Sequence, residues 1–501
     1  MAVNVNETET KYDAPAGAAL PHLDSLPQVA GTSGRDEAQL EADYYDTGDL
    51  RLLRAGITLR QRRGGGDAGW HLKLPLGGDT RREIRLPPGR TGAPVPPELA
   101  DLVRVHTRGE PLRPVARITT KRQLLILLDE AGESLAEIAA DDVSAQTMGD
   151  TTTVSRWHEV EVELTGGDRR LLKEADELLR REGLRPAGRA AKLERALGQQ
   201  QPEPACQPPL TSSAPAGQVV LAYLRTQAEM LKSLDPMVRR DEPDSVHKMR
   251  VATRRLRSTL RSFGHIVRSG DTERLAVELK WLGTVLGEAR DAEVLAAHLQ
   301  ESLRRTPAEQ VIGPVQARVQ GHFASVRADA RTAILAALGS QRYFSLLDEL
   351  DRLLAEPPLT PQAEKLAADV LPVAVRRARR QTSRRMRRAR HAAAGPPRNT
   401  ALHQARKAAK RARYASEAMA PVIGKKARRF AKQMKKVQSV LGEHQDAVIA
   451  RQVERELGIS AHLGSENAFS YGLLYGHDTC AGERLQAQAQ RTWKRASRPR
   501  Y

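Results

Sequence analysis

The chain has 501 residues, more than one ordinary domain needs, and a net charge of +19. Aromatics make up only 4% of it, so its cores must rest on Leu, Val, Ile and Ala. It has no apolar run of about eighteen residues, no basic-then-apolar leader in MAVNVNETETKYD, and only Cys206 and Cys480, so a membrane span, a secretory signal and a disulfide framework are not expected.

The charge is unevenly placed. Residues 1–200 hold 28 Lys+Arg against 32 Asp+Glu, and the remainder holds 52 against 29. A polyanionic partner is therefore expected for the second half: nucleic acid, an anionic membrane or polyphosphate.

In chain order, residues 1–200 read as short segments of period two, separated by Gly64-Gly65-Gly66, Gly77-Gly78, Pro87-Pro88 and Gly166-Gly167. That pattern predicts antiparallel strands, with a helix near 169–182. On the first strand, Glu7, Glu9 and Lys11 share a face, because alternate residues of a strand point the same way. Two carboxylates beside an ammonium make sense where a hard cation and an anionic ligand bind together.

Basic residues follow. Arg60 and Arg62 share a face of LRQRR, Lys73 sits in WHLKL, and Arg82 and Lys121-Arg122 extend the set. Then Glu159, Glu161 and Glu163 alternate with Val160, Val162 and Leu164. The apolar side of that strand needs covering helices, so the carboxylates look inward. The three charged strands together predict a closed antiparallel barrel with a charged lumen. Taken singly, each would more often be a solvated strand face; their complementary charges favour a site. No Walker loop, GxSxG or HExxH points to another chemistry.

Residues 1–200 thereby resemble a CYTH domain of the triphosphate tunnel metalloenzyme superfamily. The likeness is carried by Glu7-x-Glu9-x-Lys11, Tyr44-Tyr45-Asp46-Thr47, Arg60-x-Arg62, Lys73, Arg82-Glu83, Glu137 with Asp142, Glu159-x-Glu161-x-Glu163 and Lys192-x-x-Arg195. The resemblance implies an eight-stranded antiparallel tunnel with outer helices. It implies Mg²⁺ or Mn²⁺ held by Glu7, Glu9, Glu159 and Glu161. It further implies a triphosphate clamped by Lys11, Arg60, Arg62, Lys73, Arg82, Lys121, Arg122 and Lys192. The catalytic set it implies is Glu7, Glu9, Lys11, Arg60 and Lys73, in a phosphoric anhydride hydrolase.

Residues 201–217, rich in Pro, Gln, Ser and Ala, read as a linker. Beyond them strand signals vanish. Ala/Leu/Arg/Glu segments of helical period run to the end, broken at Pro236, Pro243, Pro357-Pro358 and Pro396-Pro397. This all-α half repeats itself: HKMRVATRRLRSTL at 247–260 matches HQARKAAKRARYAS at 403–416, and VLGEARDA at 285–292 matches VLGEHQDA at 440–447. The spacing predicts a duplicated bundle over 218–355 and 360–501.

His247, Arg250, Arg254 and Arg257 fall within about 80° of one helix face, as do His403, Arg406, Lys410 and Arg413 in the second copy. Like charges at such spacing destabilise a lone helix, which an anion lying along the face would offset. Residues 376–436 carry 22 Lys+Arg and one acid, Glu417. Scattered arginines would read as a solvated surface; a His/cation face occurring twice does not.

This half resembles a CHAD domain, a conserved-histidine α-helical domain. The residues carrying the likeness are His247, Arg250, Arg254, Arg255, Arg257, Arg290-Asp291, His403, Arg406, Lys407, Lys410, Arg411, Arg413 and His444 with Asp446; Gln445 departs from Arg290. The resemblance implies two four-helix bundles related by pseudo-symmetry. It assigns inorganic polyphosphate binding to the two His/cation faces, with Arg255, Lys407 and Arg411 beside them. A histidine among arginines is a poor metal ligand, so hydrogen bonding to phosphate is the expected role.

The combined expectation is a cytoplasmic triphosphate hydrolase tied to a polyphosphate-binding module, with association with polyphosphate granules as a further expectation. A binding-only tunnel and a nucleic-acid binder are the alternatives. The latter is disfavoured by the lack of a stacking platform or of any helix-turn-helix, RNP or zinc signature.

Overall fold

A computed structural model describes residues 3–15, 23–77, 80–90, 92–149, 151–188, 191–198 and 210–497. Residues 199–209, which include most of the expected linker, and Gly78 lie outside them. The chain divides into two compact units, Met1–Cys206 and Gln207–Tyr501.

The first unit is a closed antiparallel barrel. Its strands are β1 (Val3–Ala14), β2 (Gly31–Asp46), β3 (Thr58–Arg63), β4 (Gly69–Gly77), β5 (Thr80–Leu86), β6 (Arg113–Leu128), β7 (Ser134–Thr147) and β8 (Val154–Leu164). They run in the order β5-β4-β3-β2-β6-β7-β8-β1, and β1 closes the ring by also pairing with β5. The two-residue strand β9 (Arg185–Pro186) adds to β1 outside the ring. One strand thus serves two neighbours in turn: Val3 to Thr8 face β5, and Glu9 to Ala14 face β8.

The barrel is charged inside and apolar outside because its strands alternate. On β7 and β8 the outward residues Ala136, Ile138, Val160 and Val162 pack under helix α3 (Arg169–Arg181) through Leu171, Leu172, Ala175 and Leu179. Burying such side chains contributes about 1.5–3 kcal/mol each. Asp168 caps that helix, accepting the backbone N–H groups of Arg170 at 2.8 Å and Leu171 at 3.3 Å. Across the ring, Leu59, Leu72 and Ile84 pack under α2 (Pro97–Thr107), and the one-turn α1 (Arg51–Arg54) joins the same core. Helix α4 (Lys192–Ala196) supplies Leu193 and Ala196 to a third core with Trp157.

The second unit is all helical. Its first copy holds α5 (Ala216–Arg239), α6 (Ser245–Ser262), α7 (Ser269–Arg305) and α8 (Val315–Leu338), followed by α9 (Gln341–Ala355). The second holds α10 (Ala367–His391), α11 (Pro396–Ala418), the one-turn α12 (Ala420–Ile423), α13 (Lys425–Leu463) and α14 (Phe469–Ala496). Each copy packs its four long helices in sequence, and across the copies α5 meets α10, α6 meets α11 and α7 meets α13. The fifth helix α9, which packs on α5, α7 and α8, has no long counterpart in the second copy.

Pro243, Pro357-Pro358 and Pro396-Pro397 fall between helices or at a first turn, as expected. Pro236 does not break its helix. It lies in the last turn of α5, where Arg240 donates to its carbonyl at 3.2 Å. A proline so near the end disrupts little of the ladder.

Candidate functional site

The lumen of the barrel is a cavity of about 510 Å³. Its acidic side comes from β1 and β8. Glu7, Glu9 and Lys11 line it, and the register sets Glu163 opposite Glu9 and Glu161 opposite Lys11. Lys11 pairs with Glu161 and, at 3.3 Å, with Glu9. Glu163, to which the sequence reading gave no separate role, lines the cavity beside them. Burial, and next the nearby Glu7 carboxylate, push its carboxyl up to about 7.

The basic side comes from β3, β4, β5 and β6: Arg60, Arg62, Lys73, Arg81, Arg85 and Arg122 line the cavity. Arg82 and Lys121 do not. Arg82 shares its strand face with the core residue Ile84, and Lys121 is exposed on the face of Leu125 and Leu127. A shift of one residue exchanges the faces of a strand, so Arg81, Arg85 and Arg122 occupy the lumen. Lys73 pairs with Glu7, and Arg85 reaches Glu7 at 3.2 Å. Buried Glu83 is bracketed by His71 at 2.8 Å, Lys73 at 3.8 Å and Arg60 at 3.9 Å. The Tyr44 hydroxyl accepts from Arg60 at 3.2 Å.

A second acidic group lies at the Lys192 end. Asp141, Glu159 and Glu161 bring carboxylate oxygens within 4.8 Å of one another. Their centre holds the Lys192 ammonium, at 2.9, 2.6 and 2.7 Å respectively. Burial alone would lower the pKa of Lys192, but Asp141, Glu161 and Glu159 overcome it and hold it raised. Arg122 reinforces the group, 2.6 Å from Asp141 and 2.8 Å from Glu161, and the Trp157 indole donates to Glu159 at 2.6 Å. Glu159 is thus tied to Lys192 and is not among the residues lining the cavity. Asp141 rather than Asp142 turns inward; Asp142 is exposed and pairs with His158.

The two acidic groups differ in what they fit. Around Lys192 the carboxylates already have ammonium and guanidinium partners. Glu7, Glu9, Glu161 and Glu163 line the open cavity, and burial, with the Glu7 carboxylate next, raises the Glu163 carboxyl. A divalent cation with oxygen ligands would offset the cost of burying such carboxylates there.

The candidate residues of the helical unit fall into three clusters. The first spans both copies. Arg250 and Arg254 of α6 lie near Arg406 and Lys410 of α11, with Asp291 and Asp446 at the flanks. Arg250 pairs with Asp291 at 2.9 Å, and Arg254 donates to Tyr414 at 2.8 Å. The Arg406 Nε is buried without a partner. Burial first, then Arg254, Arg406 and Arg250, push Lys410 down to about 6. His247 and His403 sit at the ends of the two rows. Burial, with Arg290 next for the first and Lys407 next for the second, lowers both. Lys407 itself is exposed.

Two glycines make the first cluster possible. A Cβ on Gly287 would stand 3.3 Å from Arg250 Nη2, and one on Gly442 would stand 3.2 Å from Arg406 Nη2. Each guanidinium therefore lies flat against a helix that a side chain would push it off. The repeated VLGE segment carried this signal in the sequence, but its meaning depends on which arginine lies above it. His444, in the same segment, is buried beside Gln486 at 3.3 Å, and burial pushes it down to about 4.

In the second cluster Arg255 and Arg413 share Glu417, at 3.0 and 2.6 Å, and stack around the Tyr414 ring. The third gathers Arg257 and Arg411.

The fold and the site define a class: a β tunnel with opposed acidic and basic walls, joined to a duplicated helical unit with a shared basic face. The family models agree, with a CYTH domain matching residues 6–194 and a CHAD domain matching residues 222–454. The uncharacterized proteins MT2285 and Rv2226 of Mycobacterium tuberculosis are each 37% identical over 498 residues, spanning 97% of this chain and 95% of theirs. The chain belongs to the CYTH–CHAD family. Among solved structures, PptA from Streptomyces chartreusis matches 56% of this chain and 100% of its own, at 22% identity and a TM-score of 0.48. The CHAD domain of Ricinus communis matches 58% and 95%, at 26% identity and a TM-score of 0.45. Among the described residues, no helix is long and apolar enough to cross a membrane.

Proposed function

We propose that the tunnel hydrolyses the terminal phosphate of a triphosphate, with inorganic tripolyphosphate preferred, and that the helical unit binds inorganic polyphosphate. The observation that carries the first half is the division of one cavity into a carboxylate wall and a guanidinium and ammonium wall. Arg60, Arg62, Lys73, Arg81, Arg85 and Arg122 would hold the phosphate oxygens and stabilise charge building on them. Glu7, Glu9, Glu161 and Glu163 would hold Mg²⁺ or Mn²⁺, which when bound supplies Lewis-acid neutralisation of phosphoryl charge. Water attacks the terminal phosphorus, the bond to the bridging oxygen breaks, and orthophosphate and diphosphate leave. A carboxylate of the acidic wall takes the proton from water.

For the helical unit, support comes from the first cluster. Cations from both copies meet there with too few acids to balance them, and Gly287 and Gly442 leave room for the Arg250 and Arg406 guanidinium groups against their helices. The test is phosphate release from a panel of triphosphates with each metal. Glu9→Gln should lower turnover roughly 10²–10³-fold while the protein stays folded. A folded wild-type chain that cleaves no triphosphate with either metal would sink the hydrolase and leave a binding tunnel.

A further inference from the structure

The two copies of the helical unit are alike in sequence but not in charge. Residues 247–260 align with 403–416, and the first position past that match sets Arg261 against Glu417. Around Glu417 the arrangement is balanced: it takes Arg255 at 3.0 Å and Arg413 at 2.6 Å, beside Tyr414. The equivalent positions in the other copy are Arg411, Arg257 and Ser258. There the place of the acid is taken by a third arginine, and α10 adds a fourth, Arg385, beside Arg411.

We infer that Arg257, Arg261, Arg385 and Arg411 form a second anion site, apart from the cluster of Arg250, Arg254, Arg406 and Lys410, and that it takes one phosphate-type oxyanion. Among the described residues, no carboxylate lies within ion-pair distance of any of the four. Arg411 has a neutral partner, the Gln381 amide oxygen at 2.8 Å. The Arg257 Nε and the adjacent Ser258 hydroxyl are both buried without a partner. Burial, and next the charge of Arg261, lower both Arg257 and Arg411.

Arg257, Arg385 and Arg411 are half-buried and Arg261 is exposed; guanidinium groups with no counterion repel one another, most where burial removes screening. The pseudo-symmetric copy shows the same fold accommodating a carboxylate at this place. An oxyanion supplies the missing negative charge, and its tetrahedral oxygens suit forked N–H donors better than point charges. The hydroxyl of Ser258 adds a neutral donor where the other copy has the phenol of Tyr414. This reading goes beyond polyphosphate binding on the shared face: the occupant is either a free phosphate ion or one unit of a longer chain.

The decisive variant is Arg261→Glu in the full chain, which gives this copy the residue the other copy has. Thermal unfolding of the helical unit would be followed in low salt with inorganic phosphate as probe, and then with long-chain polyphosphate. Without phosphate, Arg261→Glu should raise the melting temperature. With phosphate, its apparent affinity should fall roughly tenfold to a hundredfold, the weight of one or two charge-assisted bonds. Arg411→Gln should weaken the phosphate response to a similar degree without the gain in stability. Arg384→Glu, the same charge change on an exposed α10 residue, should do neither. The combined Arg406→Ala and Lys410→Ala variant should lose the share of the phosphate response that the other cluster supplies, and adding Arg261→Glu to it should remove most of the remainder. A phosphate response unchanged in Arg261→Glu, or lost equally in Arg384→Glu, would overturn the site. Weaker polyphosphate binding by Arg261→Glu assigns the site to a segment of the polymer, and unchanged binding assigns it to free phosphate. Failure of polyphosphate to bind wild-type protein would end the polymer reading and leave the phosphate arm to decide this one.

Discussion

The tunnel buries a lysine and the shared face of the helical unit half-buries one, and they treat it in opposite ways. Lys192 sits among three carboxylates and is held above its ordinary pKa; Lys410 sits among arginines and falls to about 6. The tunnel therefore carries its own counterions. Its cations are oriented before any substrate arrives, and a ligand must exchange partners with Glu7, Glu83 or Glu161. The helical face has only Asp291 and Asp446 against its four cations, so these gain from any anion that fits. A preorganised tunnel wall and an anion-attracting face are built from the same residue types by adding or omitting acids.

The largest test of this contrast is Lys192→Met. Three buried carboxylates would lose their shared cation, and the first unit should lose about 3–5 kcal/mol, read from urea unfolding. A loss below about 1 kcal/mol would mean that Arg122 alone balances the group.

Lys410→Met should act in the opposite direction. The folded pKa of Lys410 lies below its unfolded value of about 10.5. Between about 6 and 10.5 the unfolded chain keeps a proton that the folded chain has released, so this lysine destabilises most below pH 6 and progressively less as pH rises. Its removal should stabilise the helical unit by roughly 1–3 kcal/mol near pH 7, and the gain should fade towards pH 10. Destabilisation, or a gain independent of pH, would break the comparison. Smallest is the response to salt. Raising ionic strength from about 0.05 to 0.5 M screens repulsion, so the helical unit should gain several tenths of a kcal/mol while the tunnel changes less. Equal shifts in the two units would show that their charge balance does not differ in effect.

Much of this contrast was legible in the chain. The alternation Glu159-Val160-Glu161-Val162-Glu163 sets the inner and outer faces of β8 unaided, because one face is wholly apolar. Adjacent cations gave no such guide at Arg81-Arg82 and Lys121-Arg122. Their phase had to come from neighbours: Ile84 and Leu86 share the face of Arg82, and Leu125 and Leu127 share that of Lys121. That signal was present and outweighed by the attraction of a charged pair. The repeat fixed which helices correspond, yet the meeting of Arg254 with Lys410 and the seating of Arg406 over Gly442 depend on packing between segments far apart in sequence. Nor could spacing alone tell which carboxylates of β8 face Glu9 and which face Lys192, since all share one side of the strand.

The ring of strands closes through a short stretch at the beginning of the chain. Among the described residues, Val3 to Thr8 join β1 to β5. A chain lacking those residues would keep β1's pairing with β8 but expose the free border of β5 as a row of unsatisfied backbone groups. Such a border recruits another strand. Removing Val3 to Thr8 should therefore favour edge-to-edge association, read as concentration-dependent oligomers.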